Sequence, residues 1–153
     1  MQHVAVWIGS QELELINEGK VLRRFPISSS SRGIGFKEGS LKTPIGRFVI
    51  SDKIGKNELS GMIFKGRKPT GVLIKPNMEG DVVSTRILWL DGLGKRNANT
   101  KARYIYIHGT NQEELIGQPA SEGCIRMKNE DVIELFELVE TGTEVRIQRG
   151  SRS

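Results

Sequence analysis

Cys124 is the only cysteine among 153 residues, and His108 is one of two histidines. A thiol attacks as its thiolate, and imidazole is the usual base or positive neighbour that produces it. Histidine suits that task because its unperturbed pKa lies near neutrality. His108 closes the run 103–107, in which Tyr104 and Tyr106 alternate with Ile105 and Ile107, and Gly109-Thr110 follows at once. That spacing predicts a strand ending at His108, the place where a loop site is mounted on a rigid scaffold. Cys124 stands within Ser121-Glu122-Gly123-Cys124-Ile125-Arg126-Met127. Gly123 permits close approach of the backbone to a substrate, and its amide with that of Cys124 can face an oxyanion. A plainer reading exists for both residues. A lone cysteine also serves as a small buried hydrophobe, and a lone histidine as a hydrogen-bonded structural residue. The residue types alone leave both open. His3, near the terminus, is taken as a bystander.

Other chemistries are short of residues. One cysteine excludes an intrachain disulfide framework and a cysteine-clustered zinc site. Neither histidine has a ligand partner at i, i+4 spacing, so no metal and no cofactor is expected. Gly33, Gly35 and Gly39 miss the dinucleotide fingerprint, because the third glycine comes one residue late and no helix follows. Lys plus Arg number 23 against 18 acids, a net charge of +5. The surplus is spread out, and Lys65-Gly66-Arg67-Lys68 and Gly94-Lys95-Arg96 read as solvated loop tips. With aromatics at 6%, no stacking platform for nucleic acid is in view, and no nucleic-acid partner is expected. The apolar run 4–8 is too short for a signal core or a spanning helix, so no membrane partner is expected either. A basic surface equally suits a small anionic substrate.

The elements that must position Cys124 and His108 are mostly strands. Val4, Val6 and Ile8 alternate with Ala5 and Trp7, and Leu13 and Leu15 with Glu12 and Glu14. With turns at 9–10 and 17–20 and an extended run at 21–27, this predicts an antiparallel meander. Residues 28–46, with four consecutive serines, read as loop; 48–50 is a short strand; 51–71 is polar and without clear period. Residues 72–74, 85–90 and 103–107 are strands by composition. Val132, Leu135, Phe136 and Val139 recur at i, i+3, i+4 and i+7, one face of a helix. Asn129 is its expected N-cap, Glu130 and Asp131 suit the first turn, and Gly142 lies where the chain leaves. Residues 144–148 close as a strand. The expectation is a single mostly-β (α+β) domain over 1–153, with its core at about 3–148 and a basic tail at 149–153.

Ile107-His108-Gly109-Thr110 followed by Ser121-x-Gly123-Cys124-Ile125-Arg126-Met127 resembles the signature of the L,D-transpeptidase catalytic domain, the YkuD family. Thr43-Pro44-Ile45-Gly46-Arg47-Phe48 is similar to that family's Thr-Pro-x-Gly-x-Phe element. The meander, the serine-rich turn and the closing Gly142-Thr143-Glu144-Val145-Arg146-Ile147 stand in the expected order. The resemblance implies a curved mixed β-sheet or sandwich with one main helix near the C-terminus. It also implies a cysteine enzyme. Cys124 would attack the bond between a diamino acid (usually meso-diaminopimelate) and D-alanine in a peptidoglycan tetrapeptide or muropeptide, releasing D-alanine and leaving a thioester. His108 is the base, the backbone at Gly123 and Cys124 forms the oxyanion hole, and Ser121 orients the site. Arg126, Glu122, Gly109, Thr110 and Tyr106 make the substrate side. Arg126 either holds a substrate carboxylate with its planar fork or pairs with the acidic helix after it. Tyr106 and Trp89 either line the cleft or pack in the core.

One departure concerns Glu122, where such proteins commonly carry histidine. A carboxylate beside a thiol disfavours thiolate unless a cation pairs with it, and this position is near where an acceptor must sit. Water as acceptor gives an L,D-carboxypeptidase, the favoured outcome, in peptidoglycan recycling; an amine gives 3-3 crosslinks or exchange of D-amino acids. If Met1 is the natural start, the expected location is cytoplasmic; if an export signal has been trimmed, it is the periplasm or cell envelope. An inactive peptide-binding relative is the remaining alternative. Oligomeric state is not legible.

Overall fold

Apolar residues at every second position commit the start of the chain to strands with one buried face. The computed structural model describes residues 1–152. β1 (Gln2–Trp7), β2 (Glu12–Asn17) and β3 (Lys20–Pro26) form the expected antiparallel meander. Val4, Val6, Leu13 and Leu15 are all buried. β10 (Glu144–Gln148) lies parallel to β1 and antiparallel to β4 (Gly46–Ile54), so the C-terminal strand stitches the meander to the rest. β4 in turn pairs with β7 (Val83–Gly92), giving the order β3-β2-β1-β10-β4-β7-β5-β6. β8 (Tyr106–Thr110) pairs antiparallel with β7 and parallel with β9 (Ile125–Met127).

Four expectations about the elements need correction. The hairpin β5 (Met62–Lys65) and β6 (Lys68–Leu73) occupies a stretch read mainly as aperiodic. Every residue of β6 is exposed, so the alternation that reveals a strand is missing from its sequence. β8 starts later than 103–107 because Tyr104 takes a left-handed conformation, φ 58°. His108 therefore lies inside β8 rather than at its end. The helix α1 spans Asn129–Leu138 with Lys128 as its N-cap, so Asn129 is the first helical residue and its side chain is engaged elsewhere. It also ends before Gly142, at Val139 as C-cap. Of the basic tail, Arg152 Nε donates to Glu12 at 2.7 Å, while Ser153 lies outside the described residues.

The main core lies between the sheet and α1, with Phe48, Leu88, Leu90, Ile107, Ile125 and Leu135 almost fully enclosed. A smaller cluster of Met62, Phe64, Ile87 and Tyr106 closes the opposite face of β7 and β8, and Cys124 packs against it. Leu90 pairs with Ile50 across β4 and β7 and has no exposed surface. Leu90→Ala is expected to destabilise the fold by about 2–5 kcal/mol, transfer and cavity terms together. Urea unfolding measures it; a loss near zero would mean that the core is not closed at this point.

Candidate active site

Side chains alternate between the faces of a strand and stay in step across a paired neighbour. In the β8–β9 pair Ile107 stands opposite Ile125 and His108 opposite Arg126. Ile105, Ile107, Ile125 and Met127 fill the main core. Tyr106, His108, Cys124 and Arg126 accordingly share the other face. The Tyr106 amide donates to Cys124 Sγ at 3.3 Å, and the Tyr106 and His108 rings meet edge to face at 6.5 Å. The two residues singled out for chemistry are thus brought to one surface from positions 16 apart in sequence.

His108 is 2% exposed. Its Nδ1 is 2.5 Å from the Gly109 carbonyl, an acceptor, so Nδ1 carries the proton and Nε2 keeps the lone pair. Burial pushes the imidazole below its ordinary range; the Gly109 bond and Asp81 oppose that, and Arg126 adds to it. The side chain is a neutral imidazole.

Cys124 is partly exposed and donates its thiol proton to the Tyr104 carbonyl at 3.4 Å. Its sulfur is in apolar surroundings, and burial pushes the thiol up to about 12. The Tyr106 amide, Arg103 and Arg126 favour the thiolate, and Asp81 disfavours it. At rest Cys124 is a thiol. The carboxylate acting on it is Asp81; Glu122 is exposed and makes no hydrogen bond or ion pair among the described residues.

The turn that carries Cys124 is closed by Ser121, whose Oγ donates to the Cys124 carbonyl at 2.6 Å and accepts the Gly123 amide at 3.2 Å. The Gly123 amide is therefore engaged and does not face an oxyanion as the sequence led us to expect. The Cys124 amide has no partner among the described residues and remains for that role. Gly123, at φ 126°, sends its carbonyl to Thr43 Oγ1 at 2.9 Å, which explains the Thr43-Pro44 element. The serine-rich segment clamps the same turn. Ser28 and Arg126 exchange two backbone hydrogen bonds of 2.9 Å, and Ser31 donates to the Ser121 carbonyl at 3.0 Å.

Arg126 is completely buried. Its Nη1 reaches Asp81 at 3.0 Å and Gln112 at 2.7 Å, so its ion pair is with the loop before β7, not with the helix. Nε and Nη2 have no partner among the described residues. Gly109 and Thr110 are also buried, and Thr110 Oγ1 accepts the Gln112 amide, so both shape the wall behind His108 and neither presents a side chain to a ligand.

Sequence reasoning missed Arg67. It sits at the tip of the β5–β6 hairpin, in a two-residue turn with Gly66, both at positive φ (55° and 65°) as a type I′ turn requires. Its guanidinium lies 4.8 Å from the Trp89 and Tyr104 rings and donates to Tyr106 Oη at 3.1 Å. The hairpin tip thus lays Arg67 over an aromatic surface that includes Tyr104 and Tyr106, whose backbone groups contact Cys124 Sγ. Trp89 meets Tyr106 edge to face at 5.8 Å. A turn-type Gly66-Arg67 after the apolar 62–64 was the available signal. Among the described residues, no cluster of His, Cys, Asp or Glu could hold a metal ion, and no helix is long and apolar enough to cross a membrane.

Because a raised pKa keeps the thiol protonated, its alkylation should climb with pH well beyond the ordinary thiol range. Iodoacetamide modification of Cys124, followed by mass spectrometry, is expected to accelerate about tenfold per pH unit from neutrality to about pH 10. A plateau below neutrality would mean a resting thiolate.

The family model described as the L,D-transpeptidase catalytic domain, YkuD, matches residues 2–147. The YkuD protein of Bacillus licheniformis is 56% identical over 144 residues, covering 94% of this chain and 64% of that protein. The YkuD protein of Bacillus subtilis is 33% identical over 147 residues, covering 96% and 66%. The chain spans just under two thirds of the length of these curated relatives. Its fold is similar to the catalytic domain of the Enterococcus faecium L,D-transpeptidase, with TM-score 0.62, 20% identity and 97% of each chain covered. It is also similar to L,D-transpeptidase 3 of Mycobacterium tuberculosis with a faropenem-derived adduct, at TM-score 0.63 and 16% identity, over 97% of this chain and 60% of that one. With the family model reaching from the first strand to the last, and the cysteine and histidine motifs meeting on one face of the β8–β9 pair, this chain belongs to the YkuD family of L,D-transpeptidase catalytic domains.

Proposed function

We propose that this chain catalyses acyl transfer at the bond between a diamino acid and D-alanine in peptidoglycan tetrapeptide stems, through a Cys124 thioester. The observation that carries the reading is the shared face of Cys124 and His108, with the imidazole held so that Nε2 is free to take a proton. Both groups are neutral at rest. His108 removes the thiol proton as Sγ attacks the carbonyl carbon, which avoids forming a buried thiolate in advance. The carbonyl oxygen gains charge near the Cys124 amide, a donor left without a partner among the described residues. The C–N bond breaks, the imidazolium gives its proton to the leaving amine of D-alanine, and the thioester remains. Water then attacks the thioester, His108 takes its proton, the S–C bond breaks, and the proton returns to Sγ.

Water is the acceptor we place first, which makes the protein an L,D-carboxypeptidase. A water molecule arrives neutral and needs one base, which His108 supplies. An amine arrives as ammonium and must shed a proton before it can attack. Glu122, where related proteins commonly carry histidine, offers a carboxylate, a weaker base than imidazole. The amine-accepting reading, with crosslinking or D-amino acid exchange, follows from the names of the relatives.

Incubation with a diaminopimelate tetrapeptide is expected to remove one alanine, with little incorporation of an added D-amino acid, and Cys124→Ala should abolish turnover. Mass spectrometry reads both. Exchange or dimer products would overturn hydrolysis, and absence of any acyl adduct, with imipenem as well as with the stem, would overturn acyl transfer. Glu122→His is expected to raise the ratio of transfer to hydrolysis; an unchanged ratio would remove Glu122 from acceptor choice.

A further inference from the structure

His108 acts as a base only while Nδ1 carries the proton, and that is set by the Gly109 carbonyl 2.5 Å away. The direction of this carbonyl depends on the peptide between Gly109 and Thr110. A single side chain from α1 engages the backbone on both sides of that peptide, packing against Gly109 before it and bonding the Thr110 carbonyl of the next peptide. Asn129, 6% exposed, donates from Nδ2 to the Thr110 carbonyl at 2.8 Å. Its Nδ2 also reaches Glu113 Oε2 at 3.0 Å, and the same oxygen accepts its backbone N–H at 2.7 Å. Its Oδ1 accepts two hydroxyls, Ser84 at 2.7 Å and Thr85 at 2.5 Å. The carboxamide is thereby held in one orientation, because reversing it would bring Oδ1 against the Thr110 carbonyl and the Glu113 carboxylate.

Two further features show the contact to be built into the backbone. A Cβ on Gly109 would collide with Asn129 Oδ1 and lie 2.7 Å from the Ser84 carbonyl, so glycine is what lets the carboxamide close on the strand. Thr85 stands at φ 75°, costly for a β-branched residue, within an irregularity of the β7–β8 register. Its Oγ1, besides meeting Asn129, accepts the Gly61 amide at 2.9 Å. The strained hydroxyl is held where Asn129 needs it.

We propose that Asn129 is a positioning residue for His108: packed against Gly109 on one side and bonded to the Thr110 carbonyl on the other, it brackets the Gly109–Thr110 peptide and so holds the imidazole as the Nδ1–H tautomer with Nε2 free. The inference rests on the acyl-transfer reading, in which His108 is the base, but its direct readout does not. Long-range proton–nitrogen NMR of the 15N-labelled protein, with His3→Gln to assign signals, should show the Nδ1–H form alone. In Asn129→Ala the Nε2–H form is expected to appear, and the acylation rate with imipenem to fall about 10- to 100-fold while half-saturation changes little. Asn129→Asp, which turns an acceptor toward the Thr110 carbonyl, should be worse. If Asn129→Ala does not fold, Ser84→Ala removes one of the two hydroxyls and should give the same changes in smaller measure. A folded variant with the wild-type tautomer and a wild-type rate overturns the proposal. A tautomer shift in a protein that imipenem never acylates would sustain the positioning role and overturn acyl transfer.

Discussion

The site depends on the parallel pairing of three-residue β9 with β8. The pleat sends Ile105, Ile107, Ile125 and Met127 to the core and Tyr106, His108, Cys124 and Arg126 to the opposite face. A slip of one residue would bury Cys124 and expose isoleucine, so the hydrophobic core selects the register that puts Cys124 on the face of His108. A strand this short cannot hold its register by one edge alone. The serine-rich segment holds the other, through the paired Ser28–Arg126 hydrogen bonds and the contacts of Ser29 and Ser31 with Ser121. Ser121 then closes the turn in which the thiol sits.

The second consequence of this packing is electrostatic. His108 and Arg126 are buried side by side, and Cys124 lies against an apolar cluster. Enclosure drives the thiol up and the imidazole down, so neither is charged at rest. The full charge retained in the wall is that of Arg126, shared with Asp81. Such a pair is costly to bury and adds little to stability. At Cys124 the two charges of the pair oppose each other, Asp81 disfavouring the thiolate and Arg126 favouring it.

Some of this was legible in the sequence. The only cysteine and a histidine in an alternating run marked the candidates for chemistry, because few residue types were available, and the ordered motifs around them joined the two. The meander and the helix were legible from period alone. The hairpin 62–73 was not, since β6 faces solvent on both sides and carries no alternation. The left-handed Tyr104 displaced β8 from its expected limits, and no pattern of apolar residues reports such a turn. Asn129 has the composition of an N-cap, and only its packing against Gly109 shows that its side chain serves the wall of the site.

By itself, the sequence determined which few residues could do chemistry, the predominance of strands and, through its ordered motifs, the kinship of the chain. These follow from residue type and local period, which do not depend on distant contacts. The tertiary structure alone decided which amide remains for an oxyanion, which acid meets Arg126, where Arg67 stacks and how the imidazole is protonated. Arg126 meets Asp81 and Gln112 across 45 and 14 residues, and Arg67 meets Tyr106 across 39; the Gly123 amide and His108 Nδ1 bond to neighbours two and one residues away, in backbone whose shape the surrounding packing sets. The alternatives differ only in how buried polar groups are paired, and no local pattern encodes that pairing.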